Sequence, residues 1–285
     1  MPGRNCYAWR MALTSRLLAS GPGWQAEDVI CNCGPADHPF EEQHEGACLA
    51  IVGEGTFSYR STHGTALLVP GALLLGNPGA CFECSHEHSR GDRCLSFHLA
   101  PEFMDEIATQ LPGARKAYFS APRLPPIRSL MPVLAAAEGA RDGVNAARLE
   151  ELAIQLVAEA LKLQSASDRV KHPSSRDTRR VASVVHWLET HVQESLTLSR
   201  LARMASMSRY HFLRTFRAVT GTTPYQYLLS LRLRHVSAGL ARTSLPICTL
   251  VHEAGFGDLS TFNRRFRRVM GLSPSAYRAR KSPLG

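Results

Sequence analysis

The stretch SRYHFLRTFRAVTGTTPYQY at residues 208–227 recurs 50 positions later as DLSTFNRRFRRVMGLSPSAY at residues 258–277. In both copies Phe, Arg, Phe, Arg, Val, Gly, Pro and Tyr occupy equivalent positions. A repeat at a fixed offset predicts that one supersecondary unit is built twice.

Each copy has the local signals of a helix, a turn and a second helix. Apolar residues at helical spacing precede the copies, at 198–205 and at 247–254. Gly255 suits the left-handed position that ends a helix, and Ser208 and Asp258 are typical N-caps of the next one. Because the second helix pairs a Phe-rich face with an Arg-rich face, the pattern predicts two helix-turn-helix units.

The segment between the two units is compatible with a connecting helix over Pro224–Leu240. Pro224 suits a first helical turn. Gly239 lies inside this helix and costs it about 0.5–1 kcal/mol relative to Ala. A rod of this length can hold two recognition helices about one DNA turn, ~34 Å, apart.

The basic residues are concentrated in the C-terminal part of the chain. Residues 176–285 hold 18 Arg and Lys against five Asp and Glu, whereas residues 1–175 hold 15 against 19. Seventeen of those 18 cations are Arg, whose planar fork suits phosphates and guanine edges. We therefore expect double-stranded DNA as the partner of the C-terminal part.

Residues 180–280 resemble the DNA-binding domain of the AraC/XylS family of bacterial transcription regulators. The carrying motifs are Ser208–Gly221 with Pro224, Arg232-Leu233-Arg234, SLPI at 244–247, Gly255-Phe256, and the matching second-copy positions from Ser260 to Arg278. The resemblance implies sequence-specific DNA binding, a cytoplasmic homodimer, and contact with RNA polymerase if the protein is an activator. Arg214, followed by Arg264, is our first candidate for a guanine contact. The DNA-binding residues that we predict are Ser208, Arg209, Tyr210, Leu213, Arg214, Arg217, Leu259, Ser260, Thr261, Asn263, Arg264 and Arg268.

The front of the chain predicts a separate domain, which makes the fold α+β. Short β-rich runs within 28–99, separated by Gly and Pro turns, favour a small β-barrel, and helical composition follows over 101–165. The β-rich segment, which contains Gly64 and Pro70-Gly71, resembles the cupin-like sensor domain of many such regulators, although leucines stand where an enzymatic cupin has its metal-binding His. The helix over Asn145–Leu163 has an apolar stripe that suits its own domain or a second subunit. The predicted divisions are a tail at 1–27, a sensing and dimerisation domain at 28–165, a linker at 166–178 and a DNA-binding domain at 179–285.

A cluster of Cys and His residues lies in the front domain, and the absence of an apolar signal core favours a reducing compartment. Its members are Cys81, Cys84, His86, His88 and Cys94, with His98 close behind. Upstream lies a second group that could face the first, formed by Cys31, Cys33, Asp37, His38, His44 and Cys48. Thiolates and imidazoles bind zinc and other transition metals. Three interpretations stay open: buried structural side chains, a site for a metal or for thiol oxidation, and a pocket for a small organic effector.

Three other classes of protein are disfavoured. The chain has no apolar run near the ~18 residues that span a bilayer, and no nucleophile elbow, phosphate loop or paired-carboxylate motif of an enzyme. A DNA-repair methyl acceptor joined to this kind of DNA-binding domain would need a compact site of four Cys, whereas these Cys spread from Cys31 to Cys94. The sequence predicts a non-enzymatic regulator without a membrane partner.

Overall fold

The computed structural model describes residues 13–86, 91–111, 117–127, 130–132, 134–135, 146–165, 173–194 and 197–281. The strands are β1 Leu13–Gly21, β2 Trp24–Cys31, β3 Phe40–Gln43, β4 Ala47–Gly55, β5 Phe57–Ser61, β6 Gly64–Leu68, β7 Leu73–Gly76, β8 Cys81–Ser85, β9 Asp92–Leu99 and β10 Arg123–Leu124. The helices are α1 Pro101–Thr109, α2 Ala146–Ser165, α3 Ser175–Thr190, α4 Leu198–Met204, α5 Arg209–Thr220, α6 Pro224–Arg242, α7 Ile247–Glu253, α8 Leu259–Met270 and α9 Pro274–Lys281.

The strands of the front domain form two antiparallel sheets. The larger sheet has the order β1-β2-β9-β4-β7-β10, and the smaller has the order β3-β8-β5-β6. A closed barrel needs an unbroken ladder of hydrogen-bonded neighbours, and within the described residues the ladder is interrupted between the two sheets. The predicted α+β class is therefore confirmed in its coarse form, but the predicted cupin-like barrel is not.

Alternating side chains give the larger sheet two different faces. On β4, Leu49 and Ile51 are buried in the cluster that also contains α1 and α2, while Cys48 and Ala50 point to the opposite face. The outer face is thus a helix-covered apolar core. The inner face, towards the smaller sheet, carries cysteines and polar groups around a cavity.

Helix α2 confirms the helix predicted over Asn145–Leu163. Leu149, Leu156 and Val157 are fully buried in the same cluster as the outer face of the larger sheet. Ile154, by contrast, is 42% exposed. The apolar stripe of α2 therefore packs on its own domain.

The predicted tail at 1–27 is wrong for residues 13–27, which form β1 and most of β2. Strand β1 lies at the edge of its sheet and is largely exposed, so it lacks the alternating pattern of a half-buried strand. Strand β2 buries Asp28, whose carboxylate accepts hydrogen bonds from Arg93 at 2.9 and 2.6 Å. A buried charged residue of this kind interrupts the alternating apolar pattern, so the strand could not be predicted from the sequence.

The C-terminal part contains two helix-turn-helix units, α4–α5 and α7–α8, joined by α6. The observed helices reproduce the predicted segments to within two residues at each end. Helix α3 begins at Ser175, inside the predicted linker at 166–178, because Ser174 caps it by accepting a hydrogen bond from Asp177 N at 3.1 Å. Residues 166–172 of that linker lie outside the described residues. Among the described helices, none combines the length and the apolar character that a membrane span requires.

Candidate nucleic-acid interface and front-domain cavity

Local hydrogen bonds fix both ends of the first recognition helix, α5. The Ser208 hydroxyl accepts a hydrogen bond from His211 N at 3.3 Å. At the other end Gly221 takes a left-handed conformation with φ of 81°. Between these ends Phe212 and Phe216 are fully buried, with ring centroids 5.5 Å apart. The helix is thus anchored by one apolar face.

The second recognition helix, α8, repeats this arrangement. The Asp258 carboxylate accepts hydrogen bonds from Ser260 N at 3.1 Å and from Thr261 N at 2.6 Å. Hydrogen bonds from Thr261 and Ser260 hold the pKa of Asp258 below its usual range, so the cap is charged at neutral pH. Gly271 ends the helix with φ of 76°. Gly255, predicted to be left-handed, has φ of 78° in the turn before it.

The faces opposite the Phe residues are open to solvent. The exposed predicted DNA-binding residues are Ser208, Arg209, Leu213, Arg214, Arg217, Leu259, Ser260, Asn263, Arg264 and Arg268. Thr261 is half-buried, and Tyr210 lies in the first turn of α5. Each unit therefore presents a polar surface with Arg at the same position of the repeat, Arg214 or Arg264.

The connecting helix α6 is capped at its start and closely packed at Gly239, the residue that the sequence predicts to weaken it. Thr223 caps it by accepting a hydrogen bond from Gln226 N, while the Gln226 side chain accepts one from Thr223 N at 3.2 Å. A Cβ on Gly239 would lie 2.6 Å from Leu250 Cδ2 of the second unit. Gly239 thus lets α7 approach α6, which offsets its cost to helix stability.

Two arginines connect the front domain to the C-terminal part, one to helix α5 and one from the connecting helix α6. Arg123 Nη2 donates a hydrogen bond to the Val219 carbonyl near the C-terminal end of α5, and burial lowers the pKa of Arg123 to about 10. Arg234 of α6 donates from Nη2 to the Gly53 carbonyl at 2.8 Å. Gly53 lies at a bulge in β4, where the register with β9 shifts between Val52 and Glu54.

A cavity of about 730 Å³ lies between the two sheets. Its wall includes residues from β2, β4, β8 and β9, at alternate positions of β9 from Asp92 to His98. The titratable lining residues are Glu27, Cys31, Glu42, His44, Glu45, Cys48, Cys84, His86, Asp92, Cys94 and His98. This is a concave space with convergent polar groups, as small-molecule sites commonly are.

The structure brings together only some of the predicted metal or redox residues. Cys84, His86 and Cys94 line the cavity, whereas the Cys81 side chain is exposed. An odd spacing on a strand puts side chains on opposite faces, so Cys81 and Cys84 diverge. His88 lies outside the described residues.

Part of the upstream Cys and His group lies on the same cavity as Cys84, His86 and Cys94, as the sequence analysis allowed. Cys31, His44 and Cys48 line the cavity and Cys33 is buried, while Asp37 and His38 are exposed. Four thiols, those of Cys31, Cys48, Cys84 and Cys94, therefore share one cavity.

Cys31, His86 and Asp92 form the tightest group of metal-ligating side chains in the described part of the chain, and we call them the Cys–His–Asp cluster. One potential ligand atom from each lies within 4.8 Å of the other two. Asp92 was not among the predicted residues, because its position beside Cys31 depends on pairing between distant strands. Burial raises the pKa of Cys31 to about 12 and that of Cys94 well above its ordinary value. Without a cation, these thiols are protonated and poor nucleophiles.

The cavity also contains two further imidazoles, those of the buried His44 and the half-buried His98. His44 Nε2 lies 2.8 Å from the Tyr59 hydroxyl, and its ring stacks on Phe82 with centroids 4.2 Å apart. Burial and the neighbouring His98 lower the pKa of His44 to about 4. Burial also lowers the pKa of His98, against the opposing effect of Glu27 and Glu45.

A family model described as a helix-turn-helix domain matches residues 201–280. The MmsAB operon regulatory protein of Pseudomonas aeruginosa is 36% identical over 94 residues, which cover 33% of this chain and 31% of that protein. The regulatory protein SoxS of Salmonella typhimurium is 30% identical over 100 residues, which cover 35% of this chain and 94% of SoxS. A solved AraC-type regulator from Chromobacterium violaceum shares 26% identity over 39% of this chain and 100% of that one, with a TM-score of 0.36. The chain spans about a third of the length of the first curated relatives that it matches.

Proposed function

Since the chain belongs to the AraC-type family of helix-turn-helix transcription regulators, we propose that it binds specific sites on double-stranded DNA and thereby regulates transcription. The observation that carries this proposal is the pair of capped helices, each with a buried Phe face and an exposed Arg at the same repeat position. The basic excess of the C-terminal part supports a polyanionic partner.

The two recognition helices read two successive major grooves. Helix α6 has 19 residues, which correspond to roughly 28 Å of helix. With the width of the two units added, this length suits a spacing of about one DNA turn, ~34 Å.

Within each groove the exposed side chains have different roles. Arg214 and Arg264 reach guanine O6 and N7, Asn263 contacts adenine, and Leu213 and Leu259 contact thymine methyl groups. Arg217 and Arg268, nearer the C-terminal ends of α5 and α8, contact phosphates and fix the register.

The front domain controls the DNA-binding part through the two arginine contacts. Occupation of the cavity moves β4 and β9, and the bulge at Gly53 passes this movement to Arg234. Arg123→Met removes the other contact, so it should change the affinity of the full chain for its operator, whereas the exposed Arg60→Ala should leave it unaltered. Equal affinities for all three proteins would contradict control through this interface.

The remaining features expected of the family stay predictions. They are a homodimer, a cytoplasmic location, and a contact with RNA polymerase if the protein activates transcription. The apolar face of α2 packs on its own domain.

DNA binding is tested by selecting bound fragments from a random duplex library and measuring affinity for the selected site. Arg214→Ala should weaken specific binding by ~1–3 kcal/mol and relax preference at one base pair. Arg264→Ala should relax a base pair about 10 positions away. Arg60→Ala, in the front domain, serves as the charge-matched control.

Three outcomes would count against the proposal. If no sequence is enriched, specific binding is absent. Equal losses on selected and random DNA would make Arg214 a phosphate contact. Relaxation of base pairs within one half-turn by both variants would refute the two-groove arrangement.

A further inference from the structure

The Cys–His–Asp cluster brings donors of three kinds close together. His86 Nε2 lies 2.7 Å from Asp92 Oδ1, and Cys31 Sγ completes a group whose atoms all lie within 4.8 Å of one another. The His86 side chain is 2% exposed and the Asp92 side chain 8%. The cluster is therefore shielded from solvent but lies on the wall of the cavity.

The backbone holds these donors in place before any ligand arrives. Cys31 and Asp92 are directly paired across β2 and β9, so their side chains share one face of the sheet. Gly91 N donates a hydrogen bond to Cys33 O at 2.7 Å. A Cβ on Gly91, which has φ of 74°, would lie 2.2 Å from Cys31 O. The close approach of the two strands thus depends on glycine at this position.

A second observation concerns the other oxygen of the Asp92 carboxylate. Cys94 Sγ donates a hydrogen bond to Asp92 Oδ2 at 3.3 Å. Metal-ligating carboxylates are commonly oriented by such neighbours, which keep one oxygen directed at the metal. Cys94 therefore acts as a positioning residue, and Asp92 Oδ1 faces His86.

From this geometry we propose that Cys31, His86 and Asp92 bind a zinc-like divalent cation. Thiolate, imidazole and carboxylate are zinc donors, with bonds of roughly 2.0–2.3 Å and a tetrahedral arrangement. Ligand atoms in such a site are about 3.3–3.8 Å apart, so the donors reach this geometry through shifts of about 1 Å or less.

Charge and coordination number define the site further. One thiolate, one carboxylate and a neutral imidazole balance a divalent cation, which suits a buried position. Three protein ligands leave a fourth tetrahedral position, and this position opens towards the cavity. Water or a small exogenous donor takes it, as in zinc sites with an open coordination position.

Cobalt(II) is the probe, since it occupies tetrahedral zinc sites and its thiolate bonds give charge-transfer absorption. Full-length protein without a polyhistidine tag is titrated with Co²⁺ under anaerobic conditions and then with Zn²⁺. We expect one equivalent of Co²⁺ with charge-transfer absorption, displaced by Zn²⁺. Asp92→Asn should keep the absorption but bind at least ~10-fold more weakly.

Cys31→Ser should lose the charge-transfer absorption, whereas Cys81→Ser, on the exposed side of β8, should behave as the wild type. Circular dichroism checks that each variant folds, and if Cys31→Ser does not fold, Asp92→Asn and His86→Gln test the site through weaker binding of Co²⁺. Absence of Co²⁺ binding in the wild type, or binding that Cys81→Ser abolishes and Cys31→Ser retains, would overturn the proposal. No DNA is present, so the outcome is independent of the proposed DNA binding.

Discussion

Acidification should destabilise the front domain through His44. In the folded state burial lowers the pKa of this imidazole to about 4, from an ordinary value of 6.5. The unfolded chain therefore binds a proton between these two pH values that the folded chain does not bind. Because stability rises with pH wherever the unfolded state holds more protons, His44 stabilises the fold fully above pH 6.5, and this contribution is lost as the pH falls towards 4.

The two pKa values set the size of the effect. For a single group that titrates at 6.5 unfolded and at about 4 folded, lowering the pH from 7 to 5 costs about 2 kcal/mol of unfolding free energy. His44 is only 8% exposed, so solvent screening reduces this figure little. A loss of this size is a large part of the ~5–15 kcal/mol that stabilises a typical domain.

Urea unfolding at pH 7 and at pH 5, followed by tryptophan fluorescence, measures the loss. His44→Gln keeps a hydrogen-bonding group near the Tyr59 hydroxyl but does not titrate, so its loss between the two pH values should be smaller by about 2 kcal/mol. The exposed His38→Gln is the control and should keep the full wild-type loss. Equal losses for wild type and His44→Gln would refute the assignment of the pH dependence to this imidazole.

Three further substitutions test other parts of the fold. Burial raises the pKa of Glu189 to about 7, so the folded state holds an extra proton, and Glu189→Gln should reduce the decline in stability as the pH rises from about 4.5 to 7 in urea unfolding. Gly239→Ala should lower stability in thermal unfolding by about 1–3 kcal/mol despite the better helix propensity of Ala, because its Cβ meets Leu250, and Leu250→Val should restore part of the loss. Gly91→Ala should cost more stability than Gly79→Ala, since both glycines are left-handed but only the Cβ at Gly91 meets backbone; equal costs would contradict the close approach of Cys31.

The helix-turn-helix units could be predicted almost completely because their determinants are local. Ser208 and Asp258 begin their helices, and Gly221 and Gly271 end theirs, through contacts within four residues along the chain. Because the same signals occur in both copies of the repeat, the prediction for one unit supports the prediction for the other. The packing role of Gly239 could not be predicted, because the residue that it contacts, Leu250, belongs to a different helix.

The front domain was predicted less well because its strands depend on distant partners. Strands β4 to β7 and β9 contain apolar runs with turn residues between them, and this pattern predicts strands within 28–99. Strand β1 is a mostly exposed edge strand, and β2 has Asp28 inside the sheet. Its partner Arg93 lies far away in sequence, so no local pattern could indicate that this acid is neutralised.

The candidate site shows the same division between local and distant information. Alternation along a strand predicts Cys84 and His86 on one wall and Cys81 on the opposite face, as the structure has them. Cys31 was recognised only as part of a separate group, and Asp92 was not recognised at all. Their proximity depends on the register of β2 against β9, which no spacing within either segment determines.

The register of β9 also connects the two proposals. Asp92 is paired with Cys31 on one side and with Gly55 on the other, and Arg93 and Cys94 face Glu54 and Val52 across the bulge at Gly53. A cation bound between Asp92 and Cys31 would therefore lie beside the part of β9 that borders this bulge. The Gly53 carbonyl accepts the hydrogen bond from Arg234, and Arg234 lies in the helix that sets the distance between the two recognition helices. The Cys–His–Asp cluster is thus one strand away from the Arg234–Gly53 contact through which we propose that the front domain controls the DNA-binding part.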